Sequence, residues 1–200
     1  MKKIILSLDD GYEEDYLTVF PYLKSKGIKA TSFLITKDIG KKEHLDWSQI
    51  REMAKYGWDF QCHTNYHMKL NDMTNAEIEW DLRLFRNEFM QHSLPIPEYF
   101  AYPYGVYDER VINLIKKHFK GARGGNNVKP DKYNLPSYGM YTRNNLKELA
   151  EEKGVLSIHT HDVNDNHRGF GIGVQEFKDL IEYFLDSGFK FVTIKDYFEK

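Results

Sequence analysis

The sequence predicts an α/β fold built on parallel strands. Three observations carry that prediction. Short apolar runs of strand type alternate with helix-length amphipathic segments from end to end, turn residues punctuate most junctions, and acidic or histidine residues fall just past several of the strand-like runs. At 200 residues the chain suits one domain, 1–200, with a substantial core, and is too short for two ordinary domains.

The elements follow in order. Lys2-Lys3-Ile4-Ile5-Leu6-Ser7-Leu8 reads as the first strand, stopped by Gly11 after Asp9-Asp10. Segment 13–26 follows as a helix, with Leu17, Phe20, Tyr22 and Leu23 on its apolar side, Pro21 as a kink and Gly27 as its stop. The second strand is 29–35. Asp46-Trp47-Ser48-Gln49 has the spacing of a capped helix start, and that helix reaches Tyr56 before Gly57. Trp58-Asp59-Phe60-Gln61-Cys62 alternates as a third strand and delivers His63 at its end.

Thr74-Asn75-Ala76-Glu77 is a second capping box, opening a helix to about Gln91. A brief strand at 98–101 runs into the turn Pro103-Tyr104-Gly105, and a helix covers 108–119. Segment 121–141, rich in Gly, Asn, Pro and Tyr, reads as loop with one short strand, and such loops often contribute to sites. A helix at 144–153, a strand at 155–159, a helix at 174–187 and a last strand at 189–194 complete the alternation. No repeat, low-complexity tract or linker interrupts it.

Composition narrows the function. With 28 basic against 30 acidic residues and no block of like charge, nothing points to nucleic acid or to an anionic membrane surface. Cys62 is the single cysteine, so no intramolecular disulfide forms. It sits among strand residues and reads as a small buried hydrophobe. The apolar stretch after Met1-Lys2-Lys3 ends at Asp9-Asp10, shorter than a signal-peptide core, and no run approaches transmembrane length. As written, the chain reads as cytoplasmic without membrane insertion; an extracellular location is expected if its N-terminus has been trimmed.

The chemistry gathers at strand ends. Two adjacent carboxylates repel each other unless a cation compensates them, and a metal ion is the simplest such cation. Capping of the following helix would account for one of Asp9 and Asp10, not both. His63-Thr64-Asn65-Tyr66-His67 is a weak metal signature alone, but with Asp9-Asp10 and the late His159 it points to one metal-centred hydrolytic site. In parallel α/β folds such sites form beyond the carboxyl ends of the strands. By contrast, His44, His92 and His118 read as surface residues and His167 as part of a solvated loop. Most of the aromatic residues read as core, while Tyr12, Tyr66, Tyr102, Tyr138 and Tyr141 fall in loops near the proposed site.

These residues resemble the polysaccharide deacetylases, the NodB-homology group of carbohydrate esterase family 4, over almost the full length. Ser7-Leu8-Asp9-Asp10-Gly11 is similar to the family's first motif, and His63-Thr64-Asn65-Tyr66-His67 fits the second. Phe100-Ala101-Tyr102-Pro103-Tyr104-Gly105 is similar to the third, and Leu156-Ser157-Ile158-His159 matches the fifth. The fourth falls loosely between Arg123 and Tyr138.

The resemblance implies an incomplete or distorted (β/α) barrel, shorter than the roughly 250 residues of a full one. It implies that Asp10, His63 and His67 hold one divalent metal ion, Zn2+ first, with Co2+, Ni2+ or Mn2+ as substitutes. Asp9 would be the base that takes a proton from the attacking water, and His159 the acid that protonates the leaving atom. The backbone N–H of Tyr104 would help to stabilise the oxyanion. The implied reaction is removal of acetyl from an N-acetylated or O-acetylated saccharide. Amide, imide or formyl hydrolysis, or silent carbohydrate binding, are the alternatives.

Two departures from the family pattern matter. Ala101 stands where the third motif often has an arginine that braces the catalytic Asp, which leaves Arg123 or Arg143 for that task. Thr160 follows His159 where Asp is common, which leaves His161 or Asp162 to tune the acid, with Asp131 as the expected fourth-motif partner of His159. A carboxylate beside His159 would raise its pKa above the usual 6.5 and put it on the basic limb of a bell-shaped pH–rate profile.

Overall fold

A computed structural model of the chain describes residues 2–125, 130–142 and 145–199. Among these residues eight parallel strands make one curled sheet: β1 (Lys3–Asp10), β2 (Thr31–Leu34), β3 (Asp59–Cys62), β4 (Tyr99–Ala101), β5 (Gly121–Arg123), β6 (Tyr138–Gly139), β7 (Val155–Thr160) and β8 (Lys190–Val192). Their order is β5-β4-β3-β2-β1-β7-β6. The last strand, β8, shares a flank of β1 with β2, pairing with Lys3–Ile5 while β2 pairs with Ser7–Asp10. Across the gap between β5 and β6, Leu135 bridges to Arg123 and Tyr138 pairs with Ile158, so one segment spans both edges. This is the incomplete (β/α) barrel implied by the motifs.

Side-chain alternation sorts the strands into two faces. Ile4, Leu6, Leu8, Phe60, Cys62, Phe100, Ala122, Leu156 and Ile158 pack outward with the helices in one large core. Ile5, Phe33, Tyr99, Ala101, Val192 and Ile194 form a second cluster on the opposite face, inside the barrel. Seven of the eight residues of β1 are buried, as a strand covered on both faces requires. Each fully buried large apolar side chain contributes about 1.5–3 kcal/mol, so this double core can carry polar groups at its upper end.

The helices are α1 (Phe20–Ser25), α2 (Trp47–Lys55), α3 (Asn75–Gln91), α4 (Glu109–Ile115), α5 (Leu146–Lys153), α6 (Val174–Asp186) and α7 (Ile194–Phe198). Both expected capping boxes form, Asp46 with Gln49 and Thr74 with Glu77. Four expectations need correction. The helix over 13–26 is a π turn, Asp15–Val19, leading into α1, with Pro21 in the first turn of α1, where a missing N–H is tolerated. Among the described residues of 121–141 there are two short strands rather than one. The helix at 108–119 is shorter, with Asp108 as its N-cap. The last strand stops at Val192, because Thr193 accepts a hydrogen bond from the Asp196 N–H and starts α7. Asn144, the expected start of the helix α5, lies outside the described residues, and the Asn145 side chain caps that helix.

Candidate active site

At the carboxyl ends of the strands lies a cavity of about 460 Å³, lined by Asp9, Asp10, His63, His67, Tyr104, Arg123, Ser137, His159 and His161, among others. Neighbouring residues of a strand face opposite ways, so Asp9 and Asp10 would diverge in regular backbone. Asp10 instead has a left-handed φ of 73°, with Gly11 following at 77°, and this turn brings its carboxylate to the same site as that of Asp9.

Asp10 Oδ1 lies 3.6 Å from His63 Nε2 and 3.7 Å from His67 Nε2, and the two nitrogens are 3.1 Å apart. Ligands about 2.0–2.1 Å from a tetrahedral ion would stand about 3.3 Å apart, close to this triangle. His63 Nδ1 lies 2.8 Å from the Ala101 carbonyl, which fixes the ring and leaves Nε2 to face Asp10. Burial pushes His63 down to about 3, so it stays neutral as a ligand must. Among the described residues Asp9 Oδ1 and Asp10 Oδ1 are buried without a hydrogen-bond partner. Unpaired buried carboxylate oxygens beside two imidazole nitrogens fit a divalent cation.

The loop that presents the histidines is strained. Thr64 and His67 have φ of 69° and 55°. Asp81 of α3, fully buried, compensates by accepting hydrogen bonds from Asn65 N at 2.7 Å and Tyr66 N at 3.0 Å. Thr64 Oγ1 accepts from His67 N, and Thr36 Oγ1 donates to Asn65 Oδ1. Motif reading missed Asp81, although an acid on a helix that packs beside a histidine loop is a usable signal.

Asp9 is braced by Arg123, as Ala101 requires. In the register of β4 and β5, Arg123 stands directly beside Ala101, and its Nη2 donates to Asp9 Oδ2 at 2.6 Å. Burial works to raise the Asp9 carboxyl, but Arg123, then His159, His63 and His161, outweigh it and hold the group well below the usual carboxylate range. Asp10 moves the other way, raised by burial against the pull of His161, with the charge of Asp9 adding to the rise. Arg143, the other expected brace, lies outside the described residues.

The surroundings of His159 correct four expectations. Asp131 does not reach it: its carboxylate caps Tyr133 N at 2.6 Å within a local turn. Asp162 is taken up by its own loop, accepting from Asn164 Nδ2 and Arg168 N. His161 turns to Asp10, with Nε2 4.0 Å from Asp10 Oδ2 and Nδ1 3.2 Å from the Phe170 carbonyl. The partner of His159 is Ser137, whose Oγ lies 3.0 Å from Nδ1. The expected rise in the His159 pKa is reversed. Burial and then Arg123 push it down to about 3, against the weaker pull of Asp9.

Around the mouth, Tyr104 has a φ of 59° and a ψ of 6°, and its ring lies 4.5 Å from that of His67. Gly105 N and Val106 N donate to the Tyr102 and Pro103 carbonyls, closing the turn around Tyr104. Tyr12, Tyr104 and Tyr141 line the cavity. Tyr102 lines it too but is core, with its hydroxyl donated to the Tyr133 carbonyl. Tyr138 packs against the core, and Tyr66 is exposed beside Lys37. A Cβ on Gly139 would come within 2.5 Å of the Tyr141 ring, so only glycine lets that ring lie over β6. The outlying histidines are not all surface residues: His92 stacks on Trp47 at 4.2 Å, and His118 pairs with Glu79 at 2.8 Å.

Fold and site together define the class, an incomplete (β/α) barrel of carbohydrate esterase family 4 type. A family 4 acetyl xylan esterase from Clostridium thermocellum, solved in complex with a cobalt ion, superposes with a TM-score of 0.72 at 18% identity, covering 99% of this chain and 91% of that one. The Xyl-CE4 domain of a multidomain xylanase from the hindgut metagenome of Trinervitermes trinervoides gives 0.70 at 19% identity, covering 99% and 90%. At that identity the likeness concerns the fold.

Sequence carries the assignment further. Residues 1–119 match the polysaccharide deacetylase family, and the chain belongs to it. It is 38% identical over 120 residues to YxkH of Bacillus subtilis (strain 168), provisionally named a polysaccharide deacetylase, a match over 58% of this chain and 42% of that protein. It is 30% identical over 130 residues to the poly-beta-1,6-N-acetyl-D-glucosamine N-deacetylase of Staphylococcus aureus (strain N315), over 58% and 45%. The matched region thus spans less than half the length of either relative. Among the described residues no helix is long and apolar enough to cross a membrane.

Proposed function

We propose that residues 1–200 form one catalytic domain that hydrolyses the acetyl group of an N-acetylated saccharide, with O-acetyl esters as the second substrate class. The convergence of Asp10, His63 and His67 beside the Arg123-braced Asp9 carries this reading. Asp10 Oδ1, His63 Nε2 and His67 Nε2 would hold one divalent ion, zinc first and cobalt as a substitute. Such an ion, when bound, polarises the acyl carbonyl and makes water a competent nucleophile near neutral pH.

The chain's own groups do the rest. Asp9, kept ionised by Arg123, takes the proton of the attacking water. Tyr104 N–H, in its left-handed turn, donates to the oxygen on which negative charge develops. His159 stands on the other wall of the cavity as donor to the leaving nitrogen or oxygen. Tyr141 and Phe170, with ring centroids 5.2 Å apart, give the sugar an apolar wall beside it.

The test is acetate release from N-acetylglucosamine oligomers and from acetylated xylan, with zinc-replete and chelator-stripped protein. Zinc-dependent release is expected, from the amide substrates first. Folded, zinc-loaded protein that releases acetate from neither would overturn the deacetylase reading in favour of imide or formyl substrates.

A further inference from the structure

The cavity is closed on the side of Tyr12, two residues beyond Asp10, and exposed on the side of His67. Two segments meet at the closed end. Residues 11–13 pair with 43–45: Glu13 N donates to the Glu43 carbonyl at 3.1 Å, Leu45 N donates to the Gly11 carbonyl at 2.9 Å, and Tyr12 bridges to His44. The loop 161–172, which follows β7, comes to meet them. Buried Asp162 fixes that loop by accepting from Arg168 N at 3.0 Å, and Ile172 N donates to the Asp162 carbonyl at 3.0 Å. Across the join, Arg168 Nη2 donates to Glu43 Oε2 at 2.6 Å, and Arg168 Cζ lies 4.5 Å from the centroid of the Tyr12 ring. Asn164 Nδ2 donates to Glu14 Oε1 at 3.2 Å. An exposed ion pair alone is worth little, but here a cation–π contact and a second side-chain bridge tie the same two segments. Tyr12, Asp162 and Arg168 all line the cavity, so the join is its end wall. On the opposite side the Tyr104 ring, 4.5 Å from that of His67, is 60% exposed, and Met68 is exposed as well.

Resting on the deacetylase reading, we propose that the Arg168–Glu43 bridge makes the site a blind end, so that the sugar deacetylated is the terminal one of a saccharide chain and the rest of the chain leaves over Tyr104. A sugar inside a polymer needs room on both of its sides. On the Tyr12 side a further sugar would have to part Arg168 from Glu43 and lift the guanidinium from the Tyr12 ring. On the other side the exposed Tyr104 ring offers the next sugar an apolar face. Arg168 and Glu43 thus set specificity by exclusion: they obstruct a chain that continues past the site and leave a chain end unhindered.

A pentamer of N-acetylglucosamine, its products sequenced by tandem mass spectrometry, tests the wall on the full chain. Wild type should remove a single acetyl group from each pentamer, from a terminal sugar. Glu43→Ala with Arg168→Ala should open the wall and raise deacetylation of internal sugars, relative to terminal ones, by about tenfold or more. The exchanged pair, Glu43→Arg with Arg168→Glu, rebuilds the bridge and should restore the terminal pattern. Acetyl loss from internal sugars by wild type overturns the proposal, and so does a double alanine variant that keeps the wild-type pattern. Saturation-transfer NMR reads the same wall without turnover. A pentamer with a 13C-acetyl label on its terminal sugar should receive more saturation at the label than one labelled on its central sugar. Equal or stronger transfer to the central label overturns the wall. Stronger transfer to the terminal label with no acetate release would instead refute the deacetylase reading and leave the wall standing.

Discussion

Arg123 Nη2 donates to Asp9 Oδ2 at 2.6 Å from the position in β5 that lies directly beside Ala101 in β4. The brace that the third motif lacks is therefore supplied by the neighbouring strand. Both residues face the barrel interior, so a guanidinium from either one reaches the same carboxylate.

Loss of this brace should be visible as a pH effect. Arg123→Met removes the cation that favours the ionised Asp9, so the Asp9 pKa rises and the acidic limb of the kcat/KM profile moves to higher pH. Activity at pH 7 is expected to fall by roughly 10²–10⁴. The double variant Ala101→Arg, Arg123→Ala should recover part of it. An acidic limb that stays in place in Arg123→Met would show that Asp9 is not the titrating base.

Stability of the metal-free protein should fall in acid. His63 and His159 are pushed down to about 3 in the folded chain, against 6.5 when unfolded. Between those values the unfolded state binds more protons, so stability is full above about 6.5 and is lost as pH falls toward 3. The raised Asp10 and Asp15 carboxyls act with the opposite sign above their ordinary value. The comparison that isolates one histidine is urea unfolding of wild type against His159→Gln, whose slope between pH 4 and 6 should be shallower. Equal slopes would refute the buried neutral His159.

Asp81 should control metal affinity without touching the site. Asp81→Ala leaves Asn65 N and Tyr66 N without their acceptor, at a cost of about 1–3 kcal/mol each where they stay buried. Relaxation of the loop should also weaken cobalt binding by about 10–100-fold, as measured by competition with a chromophoric chelator. Unchanged affinity would mean that the left-handed turns at Thr64 and His67 hold themselves.

Asp15 is fully buried in the π turn, with Ser32 Oγ donating to Oδ2 at 2.9 Å and Oδ1 unpartnered. Burial holds its carboxyl well above the usual range. That contribution to stability is present in acid and is lost as pH rises through the elevated value. Asp15→Asn should therefore melt higher than wild type at pH 8, by roughly 2–4 °C, with a smaller difference at pH 4. A gain that is equal at both pH values would exclude the charge as its cause.

Contiguous features are legible in the sequence itself. The strand ends at Asp9-Asp10, His63 and His159, the two capping boxes and the incomplete barrel follow from local pattern and motif. Contacts made across the sheet are less legible. Ser137 sits in an irregular segment whose partner strand is about twenty residues away in sequence. Asp131 is the stronger chemical match for His159 because it is an acid, yet a nearby backbone N–H competes for it locally. His161 has the parity of His159 on the strand, but only the turn at Asp10 determines which acid it meets.

The shared flank of β1 has a consequence for synthesis on the ribosome. The strand that ends in Asp9 and Asp10 is made well before Lys190–Val192, which completes half of one of its flanks. Ile194 N then donates to Thr31 Oγ1, tying the same late segment to β2. Contacts so distant in sequence form slowly and only once both partners exist. A nascent chain stalled before Phe189 should therefore leave the apolar floor of the barrel open and bind no cobalt, and emergence of Phe189 to Phe198 should bring metal binding and protease resistance together.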